Sequence, residues 1–382
     1  MRVALVHYWL LGSRGGEKVL EAICRNFPGA DIFTLFYDPA LVSPAIRARV
    51  VHTSWLNPLR SVYRHTLPLM PMALEDLDLR GYDVIISSEA GPAKGVLTSA
   101  TSHHFCYCHT PMRYLWELYP AYRHDFTSSA LMKALLSPLA HYLRMWDYAS
   151  AARVDGFMAN SRNVRQRIWK VWRRRARVVY PPVPVESFRS EPAEDYSLIV
   201  AEMVPDKRLD YAIRCFASNG RKLRVVGQGP QYKALKSMAK SNIEFCGRVS
   251  DEELRNLYAR ASALIVPGEE DFGMTMVEAL ASGKPVIALG RGGAREIVRD
   301  GCGELFDQPD VAHLEAALQS FDRARNGFDP ATLQSIATKY SEAAFDARFL
   351  ASVAHYWMQE ASSYAALADQ VEETRRPLFE QA

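Results

Sequence analysis

At 382 residues the chain exceeds what one ordinary core organises and fits two domains of about 150–200 residues. Hydrophobic residues at 48% and charged residues at 23% are those of an average globular protein, which excludes a disordered or fibrous chain, and a net charge of +3 is too small to imply a nucleic-acid partner. No run of 18 apolar residues argues for a membrane span, and six cysteines without framework spacing fit reduced cytoplasmic thiols.

The opening Met1–Leu11 is short, bulky and lacks a small-residue cleavage site, so it reads as a first buried strand, Val3–His7, rather than a secretion signal. The loop that follows carries Gly12, Arg14, Gly15 and Gly16 and enters a helix from about Glu17 to Asn26. A strand, glycine loop and helix in that order lets backbone approach a phosphate, with Arg14 as an added charge, although loop arginines are usually just solvated. Strands are expected at Asp31–Phe36, Val84–Ser87, His104–Cys108, Gly156–Ala159 and Arg177–Val179, and their alternation with helices predicts a parallel sheet covered on both faces. Tyr180–Pro184 and the polar stretch to Asp195 break the pattern and read as an interdomain linker. A second series follows at Ser197–Ala201, Lys222–Val226, Ile243–Phe245, Ala263–Val266 and Val286–Ala288. From about Pro330 the chain reads as helical, with Phe345, Phe349, Leu350, Val353 and Trp357 at helix-compatible spacing and a loose charged tail beyond Asp369. The expected division is a Rossmann-like domain over 1–184, a second over 185–350, and a helix with tail over 351–382. Strand ends of two such domains can face each other across a cleft, where open α/β sheets bind ligands.

The most informative segment is Val266–Ala288, which sets Glu270 and Glu278 on either side of a glycine turn and a helix start. Helix-start amides suit a diphosphate, whereas carboxylates repel one, so these two glutamates are expected to accept hydrogen bonds from ligand hydroxyls. With Phe272, Gly273, Ala279 and Gly283-Lys-Pro-Val286, the spacing resembles the signature of the family 4 retaining glycosyltransferases of GT-B architecture. The resemblance implies two doubly wound domains facing across a cleft, with the C-terminal helix crossing back to the first. It also assigns Glu270 to the transferred sugar, Glu278 to the ribose, and Phe272, Gly273, Met274 and Thr275 to the donor. The bland alternative is a solvated loop before an ordinary amphipathic helix.

His103–Trp116 is a second dense cluster. Zinc is disfavoured there, because Cys106 and Cys108 share one strand face and no second pair completes a tetrahedral site. The alternative is a strand end presenting His109 and a Pro-containing turn placing Arg113; a buried core histidine is the simpler reading of His109. Tyr107-Cys-His-Thr-Pro-Met-Arg-Tyr114 resembles the subgroup using GDP-mannose or similar donors, in which a histidine lies against the sugar. That resemblance makes His109 catalytic, puts Gly15 and Gly16 near the diphosphate, and puts Arg14 and Arg113 on the acceptor side. In Ala201–Asp210 the family carries an arginine and, five positions later, a lysine on the diphosphate. Lys207 matches the lysine, but Glu202 stands in the arginine's place, and a carboxylate there repels the leaving group. Arg208 is one candidate substitute. Gly227 lies in a turn beside the expected nucleotide, Arg248 and Val249 fall where relatives hold the base by backbone contacts, and Gly292, Gly293 and Glu296 read as a turn and helix start.

Trp55–Ala73 and Leu131–Trp146, rich in Leu, Met, Pro, Trp and Tyr, point toward an acceptor region. The basic run Arg162–Arg177 with Trp169 and Trp172 suits either an anionic bilayer surface or an ordinary solvated helix face. The combined expectation is a cytoplasmic hexosyltransferase, of mannose or a related sugar, acting at or near the inner membrane face. Its partners are a nucleoside-diphosphate sugar, GDP ahead of UDP, and a glycan or lipid-linked glycan. It has no cofactor, metal ion or nucleic acid. A non-catalytic nucleotide- or glycan-binding protein on the same architecture is the alternative, for which Glu202 speaks.

Overall fold

The computed structural model describes residues 1–120, 130–299, 301–324 and 327–359; the tail expected beyond Asp369 lies outside them. Contacts divide the chain into two compact units, one of residues 1–159, 165–179 and from 346 on, the other of residues 160–164 and 180–345.

In the first unit β1 (Val3–His7), β2 (Asp31–Thr34), β3 (Val51–Thr53), β4 (Val84–Glu89), β5 (His103–Cys108), β6 (Gly156–Ala159) and β7 (Ala176–Val178) form one parallel sheet, in the order β3-β2-β1-β4-β5-β6-β7. β1 and β4 are buried along their whole length, as expected of strands with helices on both faces. β3 was not anticipated: it is a short edge strand with His52 and Thr53 exposed, so no apolar run marks it. The first helix, Gly15–Asn26, starts two residues earlier than expected, because the Glu17 carboxylate accepts the Arg14 N–H at 3.0 Å and closes the turn ahead of it.

The second unit is a parallel sheet of β8 (Ser197–Val200), β9 (Leu223–Val226), β10 (Ile243–Gly247), β11 (Ala263–Val266), β12 (Val286–Leu289) and β13 (Gly303–Phe306), ordered β10-β9-β8-β11-β12-β13. β13, another edge strand, is the one this series added beyond expectation. The chain then forms the helix Pro330–Ala337 and is helical again over residues 342–359. Of the predicted apolar stripe of that last helix, Phe349 is buried within the first unit and meets the rings of Tyr107 and Phe27 at 6.3 and 6.4 Å, whereas Leu350 and Trp357 are exposed; the Tyr356 hydroxyl donates to the Phe157 carbonyl at 2.7 Å. Both sheets are thus doubly wound α/β, as expected.

Inside the first unit lies a buried charge cluster. Lys94, Glu89 and Asp147 are all 0% exposed. The Lys94 ammonium donates to Asp147 and lies 3.8 Å from Glu89, while Asp147 also accepts the indole N–H groups of Trp116 and Trp172, each at 2.8 Å. Trp172 is therefore buried, and the expected pair of exposed tryptophans in the basic run reduces to Trp169. Much of that run is also engaged: Arg167 pairs with Glu117 at 3.0 Å, Arg174 donates to the Ala151 and Val154 carbonyls, and Arg177 donates to Ser352.

Burial raises the Glu89 carboxyl from its ordinary 4.5 to about 8, against the pull of Lys94. The folded protein keeps a proton there that the unfolded chain releases, so this contribution is complete below 4.5 and is lost as pH rises through about 8. Buried His104, lowered to about 3, acts in the opposite sense, but only below its ordinary 6.5. Between pH 6.5 and 8 the melting temperature is accordingly expected to fall as pH rises, and Glu89→Gln to flatten the fall. A wild-type curve as flat as the variant's would contradict this.

Candidate functional site

In the second sheet the chain winds from β8 out to β10, then returns to β11 beside β8 and winds the other way. Loops leaving adjacent strands at such a reversal diverge and open a crevice at the strands' carboxyl ends. Lys207 comes from the loop after β8 and Glu270 from the loop after β11, and the ammonium bonds both carboxylate oxygens at 2.8 Å. Their side chains are 24% and 20% exposed, so the pair lines the crevice and remains reachable. Burial alone would lower the Lys207 ammonium, but the Glu270 carboxylate, aided by Asp206 and Asp271, outweighs it and holds the pKa above 10.5.

Local backbone explains the meeting. Lys207 ends the short turn Pro205–Lys207, and Arg208 follows in a left-handed conformation at φ 52°, unusual for a residue with a Cβ. Gly268 lets the two loops touch, since a Cβ there would sit 2.8 Å from the Lys207 Cα and the Asp206 carbonyl. The sequence reading missed its role, although the Pro267-Gly268 pair marked the turn. Glu270 itself is anchored to the turn after β12, its carbonyl accepting the Gly293 N–H at 2.8 Å.

Glu278 lies in the helix Met274–Ala281, which Gly273 opens in a left-handed conformation. It is 5% exposed, and one carboxylate oxygen accepts the buried Tyr258 hydroxyl at 2.9 Å. Met274 and Thr275 form the half-buried first turn. Phe272 is 3% exposed, and its ring packs on Tyr180 and Tyr340 at 5.6 and 5.5 Å. Arg208 is turned along its own helix, donating to Asp210 at 3.2 Å. Gly227 ends β9 with its N–H on the Gly247 carbonyl at 2.8 Å; beyond β10, Arg248 is exposed and Val249 half-buried. Glu202 is half-buried just after β8. Glu296 accepts the backbone N–H groups of Arg162 and Asn163 at 3.0 and 2.9 Å and the Tyr180 hydroxyl at 3.1 Å, so it caps the start of the helix Arg162–Trp172.

The first sheet reverses between β1 and β4. At that point His109, just beyond β5, sets its Nε2 2.9 Å from the Ser88 hydroxyl, and its N–H donates to the Glu89 carbonyl at 2.7 Å. His109 is half-buried. His7, at the end of β1, is 0% exposed, and among the described residues neither ring nitrogen has a hydrogen-bond partner. Burial, and then the nearby His109, keep it neutral by lowering its pKa well below 6.5. Sequence alone had read it as ordinary strand. Gly15 is exposed at the helix start, and a Cβ on Gly16 would meet the Tyr8 hydroxyl at 2.5 Å, so any larger residue there would push the Tyr8 side chain aside. Arg14 is exposed, whereas Arg113 donates to Glu117 at 2.6 Å. Among the described residues no group of three or more His, Cys, Asp or Glu is arranged to hold a metal ion. His104 bonds Ser87 at 2.9 Å, and Cys106 and Cys108 are buried thiols.

Comparison with known proteins bears on each of these residue groups. Residues 13–187 match the family described as Glycosyltransferase Family 4, and residues 185–326 match Glycosyl transferases group 1. An uncharacterised glycosyltransferase of Methanocaldococcus jannaschii is 33% identical over 157 residues, 40% of this chain and 45% of that protein. A GDP-mannose-dependent alpha-mannosyltransferase of Corynebacterium glutamicum is 38% identical over 114 residues, 28% of this chain and 27% of that protein. The chain thus matches less than half the length of these curated relatives. Among solved structures, Anabaena HepE in complex with UDP aligns with a TM-score of 0.69 at 16% identity, over 93% of this chain and 100% of that one. Sucrose-phosphate synthase from Thermosynechococcus elongatus aligns with a TM-score of 0.67, also at 16% identity, over 95% and 100%.

Proposed function

The chain belongs to the family 4 glycosyltransferases of GT-B architecture, and from that premise we propose that it is a retaining hexosyltransferase. In this reading it moves mannose or a related sugar from a nucleoside-diphosphate sugar to a glycan or lipid-linked glycan during polysaccharide assembly. The observation that carries the proposal is the Lys207–Glu270 pair at the reversal of the second sheet. A fixed ammonium there meets charge developing on a departing diphosphate, while the adjacent carboxylate accepts sugar hydroxyls. The helix start at Met274 and Thr275 adds its partial positive charge. His109, held by Ser88, is assigned to the sugar, Glu278 to the ribose, and Arg14 and Arg113 to the acceptor side. The chemistry is proposed to need no metal ion, so transfer is expected to persist in a chelator.

A GDP-sugar is favoured because relatives named GDP-mannose-dependent alpha-mannosyltransferases recur. The fold neighbour carrying UDP makes the base worth testing directly. Location in the cytoplasm, in contact with a membrane surface, belongs to the same proposal; among the described residues no helix is long and apolar enough to cross a membrane. Glu202 supports a second reading, a nucleotide- or glycan-binding protein without turnover.

A thermal-shift panel of GDP, UDP, ADP and their sugars, followed by transfer and hydrolysis assays, tests the proposal, since a ligand of the folded state raises its melting point with affinity. Nucleotide binding without turnover on any donor would leave the second reading standing. Glu278→Gln keeps an oxygen for Tyr258 but removes the charge, and is expected to weaken nucleotide binding by roughly tenfold or more by calorimetry. An unchanged dissociation constant would take Glu278 off the ribose.

A further inference from the structure

On the β2–β3 side of the first sheet lies a cavity of about 450 Å³, within the range that holds small molecules. It has aromatic walls and unengaged polar groups. The His52 ring stacks on Phe33 at 4.6 Å and 20°, the Arg2 guanidinium lies 4.5 Å over the Tyr82 ring, and Trp55 at the rim is 50% exposed. Among the described residues, the Asp76 carboxylate, the His52 ring nitrogens and the Trp55 indole N–H have no hydrogen-bond partner, whereas Asp78 is occupied by Arg80 at 2.7 and 2.8 Å. The lining runs from Arg2 and Tyr82 at the entry ends of β1 and β4 to Ser54 and Trp55 past the exit end of β3, and includes none of His7, Ser88 and His109. The cavity is therefore distinct from that cluster.

We propose that this cavity is a second saccharide site that takes a neutral segment of a glycan. Exposed indole and imidazole faces pack on the apolar face of a sugar ring, and free carboxylate and N–H groups bind hydroxyls at its edge. An anion is disfavoured because Asp76 and Asp78 face the cavity and its two arginines are already paired, Arg80 with Asp78 and Arg2 with Asp31 at 3.9 Å. A purely apolar ligand would bury those polar groups without partners. Such a site would hold a growing glycan by a segment remote from the reacting end. The choice of ligand, though not the cavity's chemistry, rests on the transferase reading above.

Isothermal titration of the full chain with α-mannotriose, maltotriose and inorganic phosphate tests the proposal, with donor turnover measured on the same samples. Saturable binding of at least one trisaccharide is expected. Trp55→Ala and Asp76→Asn, both at exposed positions, are expected to weaken it roughly tenfold or more, and Glu270→Ala to leave it unchanged. The proposal is overturned by no saturable binding of either sugar, by binding that survives both cavity variants, by loss in Glu270→Ala, or by competition from phosphate. Trisaccharide binding through Trp55 in a protein that turns over no donor would overturn the transferase reading and keep this site. Turnover with no trisaccharide binding would do the reverse.

Discussion

Glu270→Ala is expected to lower kcat by about 10²–10³-fold, the loss typical of removing one group that stabilises a transition state. Nucleotide affinity should hold or improve. The physical reason is the bidentate contact with Lys207 at 2.8 Å. Removing the carboxylate takes a negative charge away from the diphosphate position and releases the ammonium to pair with phosphate instead. At the same time it deletes the acceptor proposed to orient the sugar, so turnover falls while the nucleotide stays bound. Steady-state kinetics with the best donor, beside calorimetry with its nucleoside diphosphate, separates the two. Small and equal changes in both, or loss of nucleotide binding along with kcat, would remove Glu270 from the sugar.

Lys94→Met should destabilise the first unit by about 3–5 kcal/mol, the usual penalty for leaving a buried charge without its partner. Methionine nearly preserves the volume, so the loss reports charge rather than a cavity. Glu89 and Asp147, both 0% exposed, would face each other without a cation, and only the two indole N–H groups would still satisfy Asp147. Restoring neutrality with Glu89→Gln and Asp147→Asn in the same chain should recover most of the loss. Denaturant unfolding of the three proteins measures this. A single variant within about 1 kcal/mol of wild type would mean that the carboxylates simply take up protons, and that the ammonium matters little.

The legibility of this chain followed the range of the interaction. β1, β6 and β11 announced themselves as short apolar runs, because a strand covered on both faces must be apolar throughout. β3 did not, being an edge strand whose side chains meet solvent. Glu270 and Lys207 were both singled out, yet 63 residues separate them, and no spacing rule tells that they share a bond. Trp172 stands in a basic run, which suggests a surface, yet it is buried. The carboxylate that draws it inward lies 25 residues earlier, on another helix.

By itself the sequence determined the two α/β series, and it singled out the glutamate, lysine and histidine residues on which the chemistry is proposed to rest. These follow from hydrophobic periodicity, glycine placement and motif spacing, all local properties of the chain. Only the tertiary structure decided that Lys207 is held by Glu270, that Ser88 holds His109, that His7 is buried with no hydrogen-bond partner among the described residues, and that Lys94 pairs with buried Asp147 beside Glu89. Each of those depends on which strands become neighbours, and strand order is set by the packing of the whole sheet rather than by any one segment.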